Sequence, residues 1–174
     1  MRAHKRHQRR SSPRGAMPRL GSLGFCAYAV EYLDAALAIR ATDRSFKPAQ
    51  SYLACHAIEL ALSAYLTLQG RSIDLLGRNR DTLDLWSLLE DAESCGLSQL
   101  ARLTQVQRKQ IKKANRYYSE MVFQYPVLTE SIRGHPEAAH MRTLLAAATL
   151  LVKSIQEACG VLLEHALGRA PKTR

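Results

Sequence analysis

Residues 51–70 read SYLACHAIELALSAYLTLQG, an aliphatic run interrupted by a histidine and a carboxylate. With His56 at 0° on a helix turning ~100° per residue, Tyr52 falls at ~320°, Glu59 at ~300° and Ser63 at ~340°. A hydroxyl, an imidazole, a carboxylate and a second hydroxyl thus share one stripe. Such groups can relay protons or bind a polar ligand. Most other directions carry Leu, Ile, Ala or Cys, so the helix is wrapped on most sides and belongs at the centre of a fold. Three settings satisfy the stripe: a buried hydrogen-bonded network, the wall of a cleft, or a seam between two copies.

A second pair lies in RGHPEAAH, from Arg133 to His140. RNA cleavage without a metal needs a base to take the 2′-hydroxyl proton and a fixed cation to steady the phosphorane. His140 and Arg133 have the right chemistry for these roles. Pro136 marks a helix start, where backbone N–H groups favour an anion. Arg2 and His7 meet the same spacing within the basic arm, so spacing alone does not single out a site. Gly134 and Pro136 also interrupt the element that would hold the pair. A loop arginine and a solvent-facing histidine is the competing account.

The third feature is cationic. On a helix from about Ser98 to Gln124, Arg102, Arg108, Lys109, Lys112, Lys113 and Arg116 fall within one arc of ~140°. Tyr117 stands on its margin, placed to stack a base. Such an arc can track phosphates, though the solvated face of any amphipathic helix has the same look. There is no glycine-rich phosphate loop, no GK[ST] and no HExxH. Cys26, Cys55, Cys95 and Cys159 form no CxxC pair and lie near no histidine cluster. Neither a zinc site, a disulfide framework nor any cofactor is expected, and a reducing, cytoplasmic setting fits.

The elements carrying these residues are helical. Leu and Ala dominate and β-branched runs are scarce, which predicts an all-α domain in a chain of 174 residues. Five segments are expected: Leu23–Ala41, Pro48–Gly70, Thr82–Ser94, Ser98–Gln124 and Pro136–Leu167, the last with an irregularity at Gly160. Short links between long helices imply an antiparallel four- to five-helix bundle. The net charge is +10, but residues 1–20 hold seven Lys or Arg without an acid, and residues 169–174 hold three more. The body between them is balanced, so the basic character belongs to the tails. The expected division is a basic, disordered arm over 1–21, a helical body over 22–168 and a basic tail over 169–174. The arm lacks an apolar signal-like core, and Met17 is an alternative start. No run is expected to span a membrane.

Three segments together resemble one family. They are FKPAQSYLACHAIELALSAYLTLQG from Phe46 to Gly70, LDLWSLLEDA from Leu83 to Ala92 closing on Cys95-Gly96-Leu97, and NRYYSE from Asn115 to Glu120 ending in Gln124-Tyr125-Pro126. In order and spacing they resemble the HEPN superfamily, in particular its stand-alone bacterial members. The resemblance implies a helical bundle that homodimerises. It implies either a metal-independent endoribonuclease toxin paired with a nucleotidyltransferase-like antitoxin, or a non-catalytic module binding RNA or nucleotide in a toxin–antitoxin or defence setting. In the ribonucleases an Arg followed by four to six residues and a His carries the chemistry, which maps onto Arg133 and His140. A second-helix acid supports it, and that position is Glu59. The lysine commonly found four positions after the acid is Ser63 here. The "HDL" of many relatives is Leu83-Asp84-Leu85, and the Arg before the Tyr-Pro pair is Gln124. A degenerate or atypical ribonuclease site is therefore expected, with Tyr52, His56, Glu59 and Ser63 lining a cleft and Arg108, Lys109, Lys112, Lys113 and Arg116 meeting phosphates. A scaffold without a ligand of its own is the remaining alternative.

Overall fold

The computed structural model describes residues 17–39, 47–71, 84–125 and 139–167. Residues 1–16 of the basic arm, the basic tail, Arg133 and the expected helix start at Pro136 lie outside them. The described residues form six helices and no strand. These are α1 (Met17–Ala38), α2 (Pro48–Leu68), α3 (Leu85–Ser94), α4 (Leu97–Leu100), α5 (Gln105–Ser119) and α6 (Met141–Ala166).

Helix α2 is the hub, touching α1, α3, α5 and α6. Pro48 sits in its first turn, where the missing N–H costs nothing, and Gly70 follows its end at a φ of 78°. Ala54, Cys55, Ala57, Ile58, Ala61, Leu62 and Ala64 have no solvent exposure. Small alanines let neighbouring helices approach closely, while Ile58 and Leu62 fill the space between. Full burial of each such Ile or Leu contributes roughly 1.5–3 kcal/mol. The hairpin of α1 and α2 is antiparallel. Gln50 Nε2 donates to the Ala36 carbonyl at 2.8 Å at one end, and a Cβ on Gly21 would lie 4.0 Å from Thr67 Cγ2 at the other.

Several boundaries differ from expectation. Helix α1 starts at Met17, inside the segment assigned to the arm, and stops at Ala38. Its buried face is Cys26, Ala29, Leu33 and Ala36, while Tyr28 is 64 % exposed. Apolar residues surround α1 on all sides, so its periodicity does not select a face. The single helix expected from Ser98 to Gln124 is broken. Gly96 at φ 91° leads into the short α4, Ala101 is extended, and Thr104 then caps α5. Thr104 Oγ1 accepts from the Gln107 N–H at 3.2 Å, and Gln107 Oε1 accepts from the Thr104 N–H at 2.9 Å. This reciprocal cap satisfies two donors that a continuous helix would have used otherwise. At the far end Met121 adopts φ 57° and the chain leaves α5 in a turn. Helix α6 runs through Gly160 without a break.

Two helical stretches, Pro48–Leu68 and Met141–Glu164, are long and apolar enough to cross a membrane by length and composition, more than the sequence reading allowed. For the first, 72 % of the apolar window is buried inside the protein. Its apolarity is spent on the core.

Candidate functional site

Two polar centres flank α5. The first is built where α1, α2 and α5 meet. His56 and Glu59 stand one turn apart on α2, and Tyr118 reaches them from α5. Glu59 Oε2 accepts from the Tyr118 hydroxyl at 2.5 Å and lies 3.1 Å from His56 Nδ1, which is 2.9 Å from the Tyr118 oxygen. With the phenol proton directed at the carboxylate, Nδ1 is assigned as the imidazole donor toward Glu59 and the Tyr118 oxygen. Tyr32 packs edge-on to the His56 ring at 4.4 Å, and Tyr52 lies parallel to it at 5.7 Å. The Glu59 side chain is 7 % exposed and that of His56 24 %, so the carboxylate is sealed while the imidazole reaches solvent.

The electrostatics follow from that sealed carboxylate. Burial, and then the charge of Glu59, hold the Tyr118 phenol far above the usual tyrosine range. Burial raises Tyr52, with Tyr32 and Glu59 adding to it and a hydrogen bond from Gln124 opposing it. Burial and Glu59 likewise push the Cys55 thiol up.

Tyr52, His56 and Glu59 therefore gather as their spacing suggests. Ser63 does not join them. It is fully buried, and its hydroxyl has no hydrogen-bond partner among the described residues. Tyr118 is the member that periodicity missed. On a helical wheel it falls opposite the cationic arc, where it reads as an ordinary core aromatic. A tyrosine on an inward face must find a partner for its hydroxyl, and that was the available signal.

The second centre is the cationic side of α5. Lys109, Lys112, Lys113, Arg116 and Tyr117 line one concavity of about 290 Å³. Arg108 is not part of it. Its guanidinium turns to α3, pairing with Glu93 at 2.9 Å and lying 5.5 Å from the Trp86 ring centre. The Lys112 ammonium lies 4.8 Å from the same ring. Arg102 sits in the extended link before α5, outside the arc that a continuous helix would have given it. Tyr117 is 5 % exposed and stacks on Phe123 at 5.8 Å, so it floors the concavity and does not project from it. On the α5 wheel Tyr118 stands ~140° from Lys113 and ~160° from Arg116, which puts the helix between the two centres.

His140 lies exposed just before α6. Its N–H donates to Gln110 Oε1 at 2.7 Å, and its Nδ1 is 3.1 Å from Thr143 Oγ1. Gln110 is one turn from Lys113, so the start of α6 is tethered beside the basic face. Arg133 lies outside the described residues. Of His56 and His140, only His56 lies against a carboxylate, and among the described residues no group of three His, Cys, Asp or Glu could hold a metal. Compared with known proteins, the chain matches no family model, no curated protein and no solved structure.

Proposed function

We propose that this chain is an HEPN-like helical bundle that binds RNA or a nucleotide through α5, with a degenerate ribonuclease site. The observation that carries the reading is the convergence of Lys109, Lys112, Lys113 and Arg116 on one concavity floored by an aromatic ring. Four cations on one wall offer phosphate contacts, and phosphate contacts dominate nucleic-acid affinity. The cluster of Tyr32, Tyr52, His56, Glu59 and Tyr118 joins α1, α2 and α5 behind that wall. The protein acts as a cytoplasmic homodimer within a toxin–antitoxin or defence module, alongside a nucleotidyltransferase-like antitoxin.

The test is binding of single-stranded RNA by fluorescence anisotropy. Charge reversal in Lys109→Glu/Lys113→Glu is expected to abolish binding while the helical signal in circular dichroism is unchanged. Undiminished binding by a folded double variant would sink the reading. Absence of nucleic-acid affinity in the parent, together with co-purification of a partner protein, would make it a scaffold.

One observation favours an active ribonuclease as the second reading: Gln110 holds His140 beside the basic face. RNA cleavage in excess EDTA that survives in the parent and is lost in both Arg133→Ala and His140→Ala would establish it.

A further inference from the structure

The function proposed above leaves one pair of reactive groups unused. Cys26 on α1 and Cys159 on α6 face each other in the core, 5 % and 3 % exposed, both as free thiols. Helix α1 packs against α6 there, and the two thiols lie close enough to shift each other's ionisation. The Cys159 thiol also lies 4.0 Å from the carbonyl of Ser22, one turn before Cys26. The Cys159 sulfur is thus held against the very turn of α1 that presents its partner.

We propose that Cys26 and Cys159 are a redox pair, converted by a peroxide into a disulfide that staples α1 to α6. The Cys26 sulfur attacks one peroxide oxygen and the O–O bond breaks. The leaving oxygen departs as water with a proton from solvent, and Cys26 becomes a sulfenic acid. The Cys159 sulfur then attacks the Cys26 sulfur, the S–O bond breaks, and a second water leaves with the Cys159 proton. Two thiols and hydrogen peroxide give one disulfide and two waters. Any small dithiol reverses it by exchange.

The surroundings assign the roles. The Cys159 donor outweighs burial and favours the Cys26 thiolate, the nucleophilic form, whereas Cys159 is held as the protonated partner. Cys55 is wholly buried on α2, where burial and Glu59 suppress its thiolate. Cys95, partly exposed beside Ser94, has no cysteine partner among its contacts. The bond would join residues near opposite ends of the described chain. Cross-linking so long a segment strongly restricts the unfolded state, so formation should raise the thermal midpoint.

The experiment treats the full chain with hydrogen peroxide, alkylates remaining thiols after unfolding, and maps unreduced peptides by mass spectrometry. The expected product links the Cys26 and Cys159 peptides, is two hydrogens lighter than the two thiols, and reverts with dithiothreitol. Its midpoint should exceed that of the reduced protein. In Cys159→Ser, dimedone should trap Cys26 as the sulfenic acid, and Cys26→Ser should give neither product. Recovery of Cys26 and Cys159 as alkylated thiols when Cys95 is already oxidised would overturn the proposal. So would a linked product that forms only in unfolded protein.

Discussion

Replacing Tyr118 by Phe removes one hydroxyl and leaves the packing of its ring in place. The hydroxyl is the shorter of the two contacts to Glu59 Oε2, at 2.5 Å against 3.1 Å from His56 Nδ1. Its loss leaves a carboxylate that is 7 % exposed with one hydrogen-bonding neighbour and an open acceptor position. A hydrogen bond to a charged group is worth about 1.5–3 kcal/mol, and little water can enter to replace it. We expect a loss of about 2 kcal/mol, read as a lower urea midpoint with unchanged slope. For a domain of this size that is a fall of roughly 4–8 °C in thermal midpoint. The pH dependence adds a second signature. The folded-state pKa of Tyr118 is raised, so its contribution is fully present below the unfolded tyrosine value of about 10 and is lost as pH climbs above it. Each such group gives a slope of about 1.4 kcal/mol per pH unit there, and Tyr118→Phe should remove one group's share. Glu59→Gln should cost less in the Phe background than in the parent, because the two changes delete the same contact. A Phe variant within about 0.5 kcal/mol of the parent, with an unchanged alkaline limb, would refute the geometry assigned to this cluster.

Four further expectations follow from the same structure. Thr104→Ala removes the cap that starts α5 and should cost about 1 kcal/mol by urea unfolding. Asn115→Ala breaks the bonds its side chain makes to Asp84 at 2.7 Å and to the Leu85 N–H at 2.8 Å, and should cost about 1–2 kcal/mol. Asp84 has its carboxyl held below the usual range, because donors from Ser87, Asn115 and Trp86 outweigh burial. Its contribution is therefore present above the unfolded value near 3.9 and lost as pH falls below it, and Asp84→Ala should flatten that part of the acid limb in a pH titration of stability. Arg108→Gln should leave RNA affinity within about twofold, since its guanidinium is engaged by Glu93 and Trp86, and should appear as a loss of up to about 1 kcal/mol in stability.

What the sequence revealed depended on whether one element or two were needed to see it. Helix α2 was legible because Pro48, the alanine-rich run and Gly70 all point to the same element, and the gathering of Tyr52, His56 and Glu59 follows from that helix alone. Tyr118 belongs to a different helix, so only the packing of α5 on α2 could bring it to Glu59. The break between α4 and α5 was written in the sequence as Thr104 and Gln107, a threonine with a glutamine three positions on. The amphipathic pattern ran straight through it, and the cap prevailed because it satisfies backbone donors locally. Arg108 shows the converse. A helical wheel groups it with Lys109 and Lys112, but Trp86 and Glu93 of α3 draw it away, and no property of α5 itself signals this. In α1 the apolar residues lie all round, so the inward set of Cys26, Ala29, Leu33 and Ala36 was decided by its neighbours.

The central claim is that the concavity of Lys109, Lys112, Lys113 and Arg116 holds phosphates, and the salt dependence of RNA affinity tests it most directly. Four phosphate contacts to a single strand predict a log–log slope of about −2.8, a weakening of about 50-fold between 50 and 200 mM salt. Lys109→Gln/Lys113→Gln should halve the slope to about −1.4, with about sevenfold weakening over the same range. A slope that is the same in the parent and the double variant would contradict the account.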